Sequence, residues 1–283
     1  MSPLIIASTA TAAALYAGGS LQIKRALTQG AASKQTIAVT NIAMALWSLP
    51  LLFLCRCDFE PIAGLIAVLA GITLFIGRVL SVKSLEVGDL SIVGPLLGIK
   101  TLLVAIFSFA TGQAELTGWL WVAAITATLG VILIQRGPRK QGKNRRLAAY
   151  YAAGASILFA ACDILVVEAR TTLGVGWLSP TLFVTLALLI PLLGKQVKAP
   201  DCAKKPMYLG ALIMGFQTTL MIFLISLTGQ AVLINIIYAS RAIWTVVVDR
   251  VFGRGDAVAA FFKWRLLGAA LLVCSIIIII FLR

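Results

Sequence analysis

Leu90-Ser-Ile-Val-Gly-Pro-Leu-Leu-Gly-Ile-Lys100-Thr-Leu-Leu-Val-Ala-Ile-Phe-Ser-Phe-Ala110 carries a single charge, and that charge sits at its centre. Roughly 140 residues later Gln230-Ala-Val-Leu-Ile-Asn-Ile-Ile-Tyr-Ala-Ser-Arg241-Ala-Ile-Trp-Thr-Val-Val-Val-Asp249 repeats the arrangement, with Arg241 near the middle. About 20 apolar residues suffice to cross some 30 Å of hydrocarbon as a helix. A cation halfway across costs at least ~2.5–3.5 kcal/mol on insertion scales, so its presence calls for a function.

Apolar runs of this length recur along the whole chain. Of its 283 residues 60% are hydrophobic and only 12% charged, and the mean hydropathy is +1.02. A soluble domain has about 25% charge, so the composition implies an all-α membrane protein. Ten candidate spans fall at roughly 3–22, 35–54, 61–82, 90–110, 116–135, 148–169, 178–194, 207–227, 230–249 and 259–282. The opening segment has an apolar core without a positive n-region, and it reads as the first span rather than a cleavable signal.

One stretch alone is strongly polar, Arg136-Gly-Pro-Arg-Lys-Gln-Gly-Lys-Asn-Arg-Arg146. It divides the chain into a first five-helix repeat (1–135), a basic linker (136–147) and a second five-helix repeat (148–283). A shift of about 141 residues lays Gly88 on Gly229, Lys100 on Arg241, Gly112 on Gly253 and Glu115 on Asp256. A similar shift lays Tyr16 on Phe159 and Ser20 on Asp163. A repeat with an odd number of helices enters the membrane the opposite way round the second time, giving an inverted repeat that encloses a site near the midplane.

The net charge of +14 does not point to nucleic acid, because the basic residues are scattered through short connections. Lys24, Arg25, Lys34, Lys83, the linker, Lys195, Lys198, Lys204, Lys205, Arg250, Arg254, Lys263 and Arg265 follow odd-numbered spans. Even-numbered spans are followed essentially by Arg56 and Arg170. The positive-inside rule then predicts a cytoplasmic linker, termini on the other side, and a multi-pass protein of the cell inner membrane.

Other function classes lack their residues. There is no histidine, and the five cysteines form neither a disulfide framework nor a metal set, so no cofactor or metal is expected. No Ser/His/Asp constellation, nucleotide-binding loop or selectivity-filter sequence is present, which argues against an enzyme, an ATP-driven pump and a channel.

Leu85-Glu-Val-Gly-Asp-Leu-Ser-Ile-Val-Gly-Pro-Leu96, then Gly112-Gln-Ala-Glu115 and Gly118-Trp-Leu-Trp-Val-Ala-Ala-Ile-Thr-Ala-Thr-Leu-Gly-Val-Ile-Leu133, resemble the EamA-type drug/metabolite transporter superfamily. The pattern recurs in Gly253-Arg-Gly-Asp256 and Leu266-Leu-Gly-Ala-Ala-Leu-Leu-Val273, and Tyr16-Ala-Gly-Gly-Ser20 is similar to the small-residue motif of the family's first helix. The resemblance implies a ten-helix secondary transporter of a small metabolite. It also implies cytoplasmic termini, against the charge distribution, and the orientation adopted here follows the charges. The superfamily's phosphate-carrying branch places basic residues on the fourth and ninth helices against substrate phosphate, a role that the resemblance carries to Lys100 and Arg241 alone.

Lys100 and Arg241 are thus expected to form a cationic clamp for an anionic group, Arg241 through its planar fork. The competing expectation is an internal ion pair with Asp163, the central carboxylate of the sixth span. Asp163 is alternatively a ligand for a substrate amine or a proton-exchanging group. Asn235, Tyr238 and Arg241 follow one another at three-residue spacing and form one stripe; Gln217, Tyr16, Asn41, Trp47 and Arg78 complete the candidate lining. Gly94 with Pro95 predicts a hinge, and glycines 18, 19, 71, 77, 130 and 210 predict close helix packing.

The expected function is alternating-access transport of an anionic or zwitterionic small molecule (organic phosphate, carboxylate or amino acid) by a monomer or homodimer in contact with membrane lipid. A flippase for a lipid-linked phosphate and a proton-exchanging amino-acid or drug exporter are the alternatives. The orientation is checked by thiol labelling. Cys202, after the seventh span, is expected to react with an impermeant maleimide in inside-out vesicles only, and Cys55, after the second, in intact cells only.

Overall fold

The structure is a computed structural model of the 283-residue chain, and it describes residues 2–55, 58–87, 90–113, 117–135, 144–195, 197–252 and 262–281. Gly88, Glu115 and the Gly253–Asp256 turn, used in the repeat alignment, lie outside the described residues, as do Asp89 and linker residues 136–143.

Among the described residues there are helices and no strands. They are α1 (Pro3–Thr28), α2 (Ser33–Ser48), α3 (Pro61–Val87), α4 (Leu90–Gly98), α5 (Lys100–Ala110), α6 (Gly118–Ile134), α7 (Arg145–Leu188), α8 (Asp201–Thr228), α9 (Ala231–Tyr238), α10 (Arg241–Phe252) and α11 (Phe262–Phe281). Short 3-10 turns at Leu49–Leu54 and Ile190–Leu193 follow α2 and α7. Eight helical segments are long and apolar enough to cross a membrane, and α6 is a shorter apolar helix.

Local chemistry explains the boundaries. Pro3 and Pro61 stand at helix starts, where their missing N–H costs nothing. Glu60 accepts from the backbone N–H groups of Ile62 and Ala63 and so caps α3. Within the helices, hydroxyls that hydrocarbon would leave unsatisfied turn back on the preceding turn, as Thr9 does on the Ile5 carbonyl, Thr40 on Thr36 and Thr128 on Ala124.

The sixth and seventh spans, expected as separate helices at 148–169 and 178–194, are the two arms of α7, which meet at a kink at Gly174. Its only non-helical backbone is at Gly174, with φ 63° and ψ 175°, a conformation that a residue with a Cβ rarely adopts.

The chain packs as two compact units, residues 1–75 with 165–229, and residues 76–164 with 230–283. Each unit takes helices from both sides of the linker, so packing cuts across the sequence division at 136–147. The first unit is built around α8. Ile23 meets Gly210 and Met214 meets Gly19, so α1 runs antiparallel to α8; Ala43 and Met44 meet Gly215 and Thr219, so α2 runs parallel to it. Trp47 stacks edge-on with Phe216 at 4.9 Å and Phe59 with Trp177 at 5.5 Å. Arg170 donates to the carbonyls of Ser226 and Leu227 at the end of α8, where Gly229 closes the helix at φ +69°.

In the second unit α6 and α11 cross backbone to backbone. A Cβ on Gly130 would lie 2.8 Å from the Gly268 carbonyl oxygen, and one on Gly268 would lie 2.6 Å from that of Gly130. The glycines at 19, 71, 77, 130 and 210 each sit where a Cβ would come within 3.0 Å of a neighbour, whereas Gly18 faces open space.

Gly130→Ala and Gly268→Ala are each expected to destabilise the protein by ~1–3 kcal/mol through overpacking. Gly229→Ala should cost ~1–2 kcal/mol from its left-handed backbone alone, with the Arg170 guanidinium also in the way. Gly18→Ala should be neutral or raise the thermal midpoint, since it adds helix propensity without a clash. Thermal unfolding in detergent reads all four.

Candidate functional site

Both cation-bearing spans carry a local irregularity just before the cation, with Ile99 and Ala239 keeping right-handed helical backbone angles. In the fourth span it lies at Ile99, between α4 and α5, and α5 begins at Lys100; in the ninth it lies at Ala239–Ser240, and α10 begins at Arg241. The junctions are closed by tighter turns: Ile99 N donates to the Leu96 carbonyl at 3.3 Å, Ala242 N to Ala239 at 3.1 Å and Ile243 N to Ser240 at 2.9 Å. The expected hinge at Gly94–Pro95 is displaced, since Pro95 lies inside α4 and the irregularity comes four residues later. Two neighbours hold that region. The Ser156 hydroxyl donates to the Leu96 carbonyl at 2.8 Å, and the Gln135 side chain fills the notch at Gly94, where a Cβ could not fit.

Lys100 and Arg241 line one recess, together with Gly98, Thr101, Val131, Asn235, Tyr238 and Ala239. Its empty volume is about 240 Å³, but the gap between the side chains is only water-sized.

Lys100 is not an independent half of a clamp. Its ammonium lies 2.8 Å from Oδ2 of Asp163, with side-chain exposures of 16% and 4%, so of the two expectations the ion pair describes the geometry. Asn235 donates from Nδ2 to the same Oδ2 at 2.7 Å and to the Ala231 carbonyl at 2.9 Å. Asp163 itself is not part of the recess lining; it stands behind Lys100 and Asn235. The Arg241 guanidinium lies over the Tyr238 ring, 4.7 Å from its centroid, a cation–π contact that orients the fork. The stripe Asn235, Tyr238, Arg241 thus shares one recess although the helix is irregular within it.

The other sequence candidates fall elsewhere. Arg78 is half-buried on α3, in the second unit. Tyr16, Asn41, Trp47 and Gln217 belong to the first unit: Tyr16 is half-buried on α1, Asn41 fully buried on α2, Trp47 partly exposed against Phe216, and Gln217 buried on α8, accepting from the Thr218 hydroxyl at 3.4 Å. Among lining residues that sequence reasoning passed over, Thr101 had a signal, a hydroxyl next to the central lysine. Gly98, Val131 and Ala239 had none, being indistinguishable from packing residues. Among the described residues no group of His, Cys, Asp and Glu side chains could hold a metal ion.

No family model matches the chain, and no curated protein matches it in sequence. In structure it is similar to a solved crystal structure at a TM-score of 0.78, with 13% identity and 100% of both chains covered. At that identity the likeness shows the fold alone.

Removing one member of the buried pair, as in Lys100→Gln or Asp163→Leu, is expected to destabilise by up to ~3–5 kcal/mol, because the partner charge is stranded. The double variant Lys100→Met/Asp163→Leu should recover most of that loss. Thermal midpoints of the three variants in detergent check the coupling.

Proposed function

We propose that the protein is a secondary active transporter of the inner membrane that binds a small polar metabolite through an anionic group and presents it to the two sides in turn. The observation that carries this reading is the convergence of Lys100, Arg241, Tyr238 and Asn235 on one recess at two locally irregular helices.

Two further features support the finer architecture of ten spans in inverted five-helix repeats, and with it membership of the EamA-type drug/metabolite transporter superfamily. The eight long segments, α6, and the division of α7 at Gly174 into two arms together make ten crossings. Both irregularities also fall at the ~141-residue offset at which the sequence halves align. The cytoplasmic placement of the basic linker rests on the positive-inside rule.

Charge narrows the substrate. Lys100 is already paired to Asp163, which leaves it less to offer a phosphate dianion, and the planar Arg241 fork matches the geometry of a single carboxylate. The narrow recess must widen to admit it, and the long Lys100 and Arg241 side chains are the parts that can move.

Purified protein is screened by thermal unfolding against propionate, L-lactate, L-alanine and inorganic phosphate. At 100 times its dissociation constant a ligand adds about 2.7 kcal/mol of stability, so a carboxylate hit should raise the midpoint by several degrees. Arg241→Gln should weaken that response at least tenfold and Lys100→Gln less. The reading fails if no probe acts, or if both variants respond as wild type.

A further inference from the structure

The orientation of the Asn235 amide is chemically determined. Its nitrogen lies between two acceptors, Oδ2 of Asp163 at 2.7 Å and the Ala231 carbonyl at 2.9 Å. Turned over, the amide would set its own oxygen against both of them, and neither has a proton to give. Both N–H bonds are therefore spent, and the remaining polar atom of Asn235 is Oδ1, an acceptor. Among the described residues nothing donates to it. Asn235 belongs to the recess lining together with Lys100 and Arg241.

Two cations and a fixed acceptor make an asymmetric recognition surface. Lys100 and Arg241 offer donors only, so a plain anion satisfies them and leaves Asn235 Oδ1 unmatched. A buried acceptor left unpaired on ligand binding carries its full desolvation penalty. A ligand with an N–H or O–H group beside its negative charge satisfies both. Behind Asn235 the Asp163 carboxylate, held on the same oxygen by Lys100 and Asn235, fixes the amide and adds negative potential there, which also favours a positively charged donor.

Resting on the transporter reading above, we infer that Asn235, held by Asp163, is a specificity-determining residue that selects small carboxylates bearing an N–H or O–H donor on the carbon beside the carboxylate, as in α-amino and α-hydroxy acids. Asp163 acts as a positioning residue. It does not touch the substrate, yet without it the amide is free to present either end to the recess.

The test compares four probes of near-equal size on the full-length protein by thermal shift and by isothermal titration: L-alanine and L-lactate, which carry the donor, and propionate and pyruvate, which do not. Wild type is expected to bind at least one donor-bearing probe about ten times or more tighter than propionate and pyruvate, since one unsatisfied buried acceptor costs roughly 1–3 kcal/mol. Asn235→Leu should bring that ratio close to one. Asp163→Asn should reduce the ratio too, a readout that a merely structural loss of stability would not move. L-alanine exceeding L-lactate would identify the donor as ammonium, and the reverse as hydroxyl; either supports the inference. Equal binding of all four by wild type overturns it and leaves anion transport standing. Binding of none overturns both. The wild-type ratio decides even where a variant fails to fold.

Discussion

Hydrocarbon offers a polypeptide backbone no hydrogen-bond partner, so a helix crossing a bilayer can depart from regularity only where protein takes over the groups that the departure releases. This chain carries local irregularities in two of its apolar segments, at Ile99 and at Ala239–Ser240, and in each case the next residue is a cation. The two expensive features share one place. The Ser156 hydroxyl occupies the Leu96 carbonyl, tight turns occupy donors on the far side of the ninth-span irregularity, and the polar neighbourhood so assembled is where a lysine and an arginine are tolerated. Irregularities and cations support each other, since a fully regular apolar helix would give the charges no polar surroundings.

The two cations are not equivalent. Lys100 has a buried carboxylate within 2.8 Å, whereas Arg241 is backed by the face of Tyr238. Nor does the acid follow from the likeness of the two sequence halves, because the residue that aligns with Asp163 is Ser20, whose hydroxyl lies 4.0 Å from the Met214 sulfur. One half thus carries an added carboxylate that organises lysine, asparagine and the local potential at once. The recess is lopsided as a result, more cationic toward Arg241 and with an acceptor at Asn235.

Much of the helical pattern was legible in the sequence because each apolar run is its own measure of length, and a lone central charge is conspicuous against it. Glycines at 19, 71, 77, 130 and 210 were read as packing positions, and a Cβ at each would collide; Gly18 looked the same in sequence and faces open space, because a glycine does not announce which side of its helix is covered. The irregularities were hidden. Pro95 drew attention four residues too early, and Ala239-Ser240 contains no residue that disfavours a helix strongly, so that irregularity is a product of tertiary surroundings. Asp163 was recognisable as a partner for Lys100 by elimination, as the central carboxylate of its span. Its simultaneous grip on Asn235 was not, since 72 residues separate them.

The helices differ greatly in length. At 1.5 Å per residue the 17 residues of α6 reach only about 26 Å, while the 27 residues of α3 reach about 40 Å. In a bilayer whose oily layer is about 30 Å deep the first must stand almost upright and draw the lipid in around it, and the second must lean or project into the headgroups. Because α6 is also pressed directly against α11 at Gly130 and Gly268, it has little freedom to adjust by shifting past its neighbour. Acyl-chain length thereby becomes a mechanical load on the helices around the recess.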